Sequence, residues 1–181
     1  MEQNRGGHLK AFLLLAAAAL LLFAEAVFTD GLPFPAHTDA FRPWSDDLAP
    51  DELADVHQEM NRSATDKNLS FHPDNLVTGE AFRNGRLPLW NPHQAGGLPH
   101  VGQSLYGIFY PLNLPMFLSG SVSWYLWLAV LHYLMAGFFT YLLLRRFGLS
   151  FQAAFLGGLI FMCSATMTAR FHYYMTVYPM A

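Results

Sequence analysis

The chain has 181 residues, of which 53% are hydrophobic and only 13% charged, against about a quarter charged in an ordinary soluble domain. A formal net charge of −3, with no basic stripe carrying interleaved aromatics, excludes a nucleic-acid partner. Cys163 is the sole cysteine, so no intramolecular disulfide forms, and its place inside an apolar run predicts a small buried hydrophobe.

The apolar residues gather in three runs. The first, Ala11–Phe28, follows Arg5 and Lys10 and contains one charge, Glu25. Its length suits a bilayer span of roughly 17–25 residues. The Leu/Ala core with Ala24-Glu25-Ala26 also describes a cleavable signal peptide. Both readings send the next segment out of the cytoplasm.

From Asp30 to about Leu118 the chain is polar, with eleven acids against five basic side chains, a formal net of −6. An acidic segment is more readily placed outside, since cytoplasmic loops are the ones rich in Lys and Arg. The pattern predicts a helix over Leu48–Met60, with Ser45 and the following acids at its start. It predicts another over Pro73–Phe82, ending near Asn84-Gly85. Beyond it, nine Pro and Gly residues between Pro88 and Pro115 rule out a long helix. The aromatics there, Trp90, Tyr106, Phe109, Tyr110 and Phe117, suit a segment lying along a membrane surface or packed on helices.

The second apolar run, Val122–Leu144, opens on Trp124, Tyr125 and Trp127 and closes on Arg145-Arg146. Phe147–Ser150 is a predicted tight turn, and Phe151–Met167 is the third run. The two arginines place that turn in the cytoplasm. Ala153, Ala154, Gly157 and Gly158 offer small-xxx-small spacing for close helix packing. His132 lies mid-run, where it is either functional or a neutral imidazole hydrogen-bonded inside the bundle. The absence of a polar tail after Tyr178, and polar groups that three helices would leave without partners, predict the N-terminal piece of a longer polytopic protein.

The expected fold is therefore an all-α membrane protein. Residues 1–28 form a cytoplasmic N-terminus and first transmembrane helix. Residues 29–118 form an extracytoplasmic loop with short helices and a membrane-surface segment. Residues 119–181 form transmembrane helices 2 and 3, with a cytoplasmic turn at 145–150.

No metal-ligand spacing, nucleotide loop or nucleophile elbow is present. His93 and His100, seven apart in a Pro/Gly-rich loop, are either a metal pair or ordinary loop histidines. Asp66 and Asp74 sit just before the aromatic Pro/Gly segment. A carboxylate there can act as general base, activating a hydroxyl acceptor against a lipid-linked donor, while cations hold the donor phosphate. Arg170 and His172, beyond the third run, emerge on the same side.

Gly85-Arg86-Leu87-Pro88-Leu89-Trp90-Asn91-Pro92, then Gly96-Gly97-Leu98-Pro99, then Phe109-Tyr110-Pro111-Leu112-Asn113, form a distinctive series. It resembles the G-x-LPLWNP…GG-P…FYPLN signature of bacterial YfhO-like membrane proteins, of the GT-C type of membrane glycosyltransferases. The likeness continues through His132–Gly137, Leu142–Ser150 and Phe161–Ala165. It implies the N-terminal part of a GT-C-like polytopic fold in the bacterial inner membrane, with the first segment kept as an anchor. It further implies transfer of a sugar from a polyprenyl-phosphate donor to an extracytoplasmic cell-envelope acceptor. Asp66, followed by Phe71-His72-Pro73, fits the family's acidic position as catalytic base or as ligand to a divalent cation. Asp74 is the second choice, since it stands where the family usually has an aromatic. Arg170 and His172 are the expected donor-binding residues. The rivals are a non-enzymatic transporter-like or assembly scaffold sharing the loop fold, and a secreted binding loop with a cleaved leader.

Overall fold

The computed structural model describes residues 5–29, 40–59, 67–102 and 107–169. These are mostly helical, and they divide between two compact units. Unit 1 combines the N-terminal residues 1–32 with 125–181, and unit 2 spans 33–124.

Unit 1 is built on α1 (Arg5–Leu22), α6 (Trp124–Arg146) and α7 (Phe151–Met162), with the short α2 (Ala24–Phe28) and α8 (Ala165–Ala169) continuing α1 and α7. Trp124–Arg146 and Phe151–Thr168 are both long and apolar enough to cross a membrane. The 23 residues of α6 rise about 35 Å at ~1.5 Å each, enough for a hydrocarbon core of about 30 Å. Within the first apolar run the apolar helix is the shorter Gly6–Leu22. The backbone breaks at Phe23 before α2 resumes.

Every fourth residue of α1, Ala11, Leu15 and Ala19, is fully buried. They join one core cluster with Leu126, Val130, Tyr133, Ala136 and Tyr141 of α6 and Ala154 and Met162 of α7. Both spacings follow one face of a helix at 3.6 residues per turn. Close approach of α6 to α7 depends on two glycines. A Cβ on Gly158 would lie 2.5 Å from the Gly137 carbonyl oxygen, and one on Gly157 would lie 2.3 Å from the Leu144 side chain. The small-residue stripe expected from sequence thus works through Ala154, Gly157 and Gly158, while Ala153 is exposed. Gly148, at φ +83°, makes the turn between the helices, and the Ser150 hydroxyl caps α7 by accepting from the Ala153 N–H.

One expectation changes here, and for His132 the structure shows the hydrogen-bonded alternative. Cys163 is exposed rather than buried. It is the C-cap residue of α7, at a break before α8, and so lies off the helix's packed face. His132 is buried, and its Nδ1–H donates to the Leu128 carbonyl one turn earlier at 2.6 Å. That bond meets the requirement for a polar group in an apolar bundle.

Unit 2 contains α3 (Pro50–Glu59), α4 (His72–Arg83), strands β1 (Trp90–Asn91) and β2 (Leu98–Pro99), and α5 (Leu114–Ser119). A 3-10 turn over Trp44–Asp47 takes up the acids near Ser45, so α3 starts later than the sequence pattern implies. Pro50 is its first residue, and Glu52 reaches back to accept from the Ala49 N–H at 3.0 Å, a capping-box bond. The α4 prediction holds, down to Asn84 and Gly85 (φ +66°) at its end. Among its described residues the Pro/Gly-rich stretch contains no long helix. It does contain an antiparallel pair, Trp90 opposite Pro99 and Asn91 opposite Leu98, where an all-α loop was expected. Helices α4 and α5 touch closely: Gly79 lies under the Phe117 carbonyl, which accepts from the Arg83 guanidinium at 2.7 Å.

Candidate functional site

The chemistry of unit 2 centres on Asp74. It sits in the first turn of α4 behind Pro73, where a carboxylate complements the helix dipole, and its side chain is wholly buried. A buried charge persists only with partners, and here they come from the β-hairpin. Asn91 Nδ2 donates to Asp74 Oδ1 at 2.8 Å. Gln94 Nε2 donates to both carboxylate oxygens, at 3.2 and 3.3 Å. The Asn91 amide is oriented by its own turn, because its Oδ1 accepts from the His93 N–H at 2.9 Å. The Nδ2 is thereby aimed at Asp74.

His100, also fully buried, completes the cluster from the far strand. Its backbone N–H donates to the Leu89 carbonyl at 2.9 Å. The single proton of Thr78 goes to the Asp74 carbonyl at 3.0 Å, so its oxygen accepts from His100 Nε2–H at 2.8 Å. His100 Nδ1 stands 3.7 Å from Asp74 Oδ1. Burial pulls the His100 pKa below its ordinary value, while the Asp74 carboxylate and a bond to the Asp74 backbone pull the other way. Burial also lowers His72.

Asp74 and His100 are therefore brought together, but not as an open catalytic pair. Both are shut off from solvent and serve as a polar latch between α4 and the hairpin. His93 is instead exposed and lines two neighbouring grooves. Among the described residues no three His, Cys, Asp or Glu side chains gather to hold a metal ion. Asp66, Arg170 and His172 lie outside the described residues. Asp66 immediately precedes the widened helical turn Lys67–Phe71 that leads into α4.

Two partners of Asp74, Asn91 and Gln94, line a groove of about 520 Å³ together with Leu69, Leu76, Glu80 and Arg83, among others. A second groove of about 320 Å³ shares Val77, Glu80 and His93 with it and adds Arg86, Leu89 and Trp90. The Trp90 indole is backed by Gly97, at φ +119°, where a Cβ would fall 2.4 Å from the ring. Only glycine fits there, and the indole stays 55% exposed. Glu80 and Arg86 form no ion pair with a described residue, leaving opposite charges available along one groove.

Thr78, Asn91, Gln94 and His100 escaped the sequence reading as partners of Asp74. Two signals were present: Thr78 one helical turn after Asp74, and Asn91-Pro92-His93, which has the form of an Asx turn.

Compared with protein-family models, with curated proteins and with solved structures, the chain matches none.

Proposed function

We propose that the chain is the N-terminal part of a bacterial inner-membrane glycosyltransferase of the GT-C type. It moves a sugar from a polyprenyl-phosphate donor to an extracytoplasmic cell-envelope acceptor. The observation that carries this reading is the paired groove beside the motif loop. Trp90, packed against Gly97, offers an apolar ring face to a pyranose, while Glu80, Arg86 and His93 offer groups for its hydroxyls. Few convergent polar groups on an apolar wall are what an orienting small-molecule site requires.

In this scheme Asp66 acts as general base on the acceptor hydroxyl, or holds a divalent cation, at the start of the segment that enters α4. Arg170 contacts donor phosphate and His172 assists. Asp74 takes a positioning role through the latch rather than a catalytic one. Unit 2 is the extracytoplasmic loop, and α1, α6 and α7 are the membrane helices, with the Arg145-Arg146 end in the cytoplasm.

The test is Asp66→Asn in the full-length protein, measured as sugar transfer from a polyprenyl-phosphate donor. Removing a general base costs about 10²–10⁴-fold in rate, and unchanged transfer sinks the assignment. The burial of Asp74 lends weight to a second reading, a non-enzymatic scaffold that uses the loop only as a folded element. That reading predicts normal cell-envelope assembly in the Asp66→Asn strain.

A further inference from the structure

Among the described residues, Lys10, Arg145 and Arg146 lie toward one end of unit 1. Helices α1 and α7 both start there, and α6 ends there. The His8 ring bonds the Tyr141 hydroxyl at 3.2 Å, with the rings edge-to-face. The Lys10 ammonium lies 5.8 Å from the centroid of the Phe151 ring. Phe151 meets Tyr141 edge-on at 6.0 Å. Arg145, one helical turn beyond Tyr141, donates to the Leu149 carbonyl at 2.6 Å and so braces the turn. Arg146 is exposed beside it, as is Lys10.

Lys10 lies over this aromatic wall, Arg145 and Arg146 close α6 at the same end, and among the described residues no carboxylate shares that end. Glu25, the acid of unit 1 that is described, lies in α2 beyond the far end of α1. The N-terminal dipoles of α1 and α7 add to the positive field, and the C-terminal dipole of α6 at the same end partly offsets them. Next to the cations, α1 presents Leu9, Phe12 and Leu13 to the outside. Cations above an exposed apolar helix face match a ligand with a phosphate head and acyl chains.

We propose that this end of unit 1 binds the phosphate of an anionic phospholipid headgroup, held between Lys10 and Arg146 against the Phe151 wall. Arg145 positions the turn. The site is separate from the grooves of unit 2 and does not depend on the transferase reading. Its occupant is a lipid of the surrounding leaflet, and basic groups at such a surface strengthen anionic-lipid attachment by a similar step each.

The experiment uses the full chain purified in detergent with equal phosphatidylglycerol and phosphatidylcholine added, and counts retained lipids by native mass spectrometry. Phosphatidylglycerol is expected in clear excess. Lys10→Gln and Arg146→Gln should each lower that excess by about fivefold, while Lys10→Arg keeps it. Arg42→Gln, an exposed cation of unit 2 outside both grooves, serves as control and should leave the excess unchanged. Both glutamine changes in unit 1 are at exposed positions, and thermal melting checks that each variant stays folded. Equal retention of the two lipids by the unmodified chain overturns the proposal. So does an Arg42→Gln effect as large as that of Arg146→Gln. Millimolar inorganic phosphate should leave the bound lipid in place; displacement would assign the site to free anions instead.

Discussion

The two units solve the problem of internal cohesion in opposite ways. Unit 1 buries an almost wholly apolar core and gains contact by removing side chains: Gly137 and Gly158 let two helix backbones meet. Unit 2 has short helices, two-residue strands and many Pro and Gly residues, so its regular backbone bonding is sparse. It compensates with buried polar side chains. Of the seven buried polar residues described, His132 alone belongs to unit 1; Asp74, Asn75, Thr78, Asn91, His100 and Asn113 all belong to unit 2. Van der Waals packing suits helices in lipid, where apolar burial gives no driving force between them. A loop with little periodicity needs directional bonds to select one conformation, and a buried polar network supplies them.

The contrast can be broken most sharply at Asp74. Asp74→Ala leaves the Asn91 and Gln94 amides without their acceptor, and should destabilise unit 2 by about 3 kcal/mol or more. Hydrogen exchange should then rise across α4 and the β-hairpin while α6 and α7 keep their protection. Equal loosening of both units would show that the latch is not local to unit 2.

The corresponding test of unit 1 is Gly158→Ala. Its new Cβ meets backbone rather than a movable side chain, so the helices must separate, at a cost of about 1–3 kcal/mol. Thermal melting in detergent should register the loss. Protection in α4 should not change.

A smaller effect is expected from pH. His72 and His100 have pKa values lowered by burial in the folded state. Between the folded and unfolded values the unfolded chain binds more protons, so stability rises with pH in that window. The stabilisation is complete above about 6.5, the unfolded value, and is lost as pH falls below it. Melting followed through α4 exchange should drop between pH 7 and pH 5, and His100→Gln should flatten part of that drop. The smallest change is Ser150→Ala, which removes the α7 cap at about 1 kcal/mol. It should increase exchange of the first-turn amides of α7 only.

Much of unit 1 was legible in sequence because its signals are local. The apolar runs, the Trp124–Trp127 belt, the Arg145-Arg146 end and the Gly148 turn each act over a few neighbouring residues. The α4 helix was legible for the same reason, from Pro73 at its start to Gly85 at its end. The start of α3 was misplaced because Ser45 and its acids support a 3-10 turn as readily as an α-helical one. Cys163 was misassigned because an apolar run does not reveal where a helix breaks or which side faces out.

By itself, then, the sequence determined which segments are apolar helices, where the chain turns, and that an acidic Pro/Gly-rich excursion separates the first helix from the second. Only the tertiary structure decided that Asp74 is a sealed latch. Its partners Asn91, Gln94 and His100 are 17 to 26 residues away in sequence, and no local pattern encodes which donors reach a carboxylate at that separation. The same holds for Trp90, whose indole lies against Gly97 seven residues later. It holds also for the cationic end of unit 1, which exists because the start of α1 packs beside a turn more than 130 residues later.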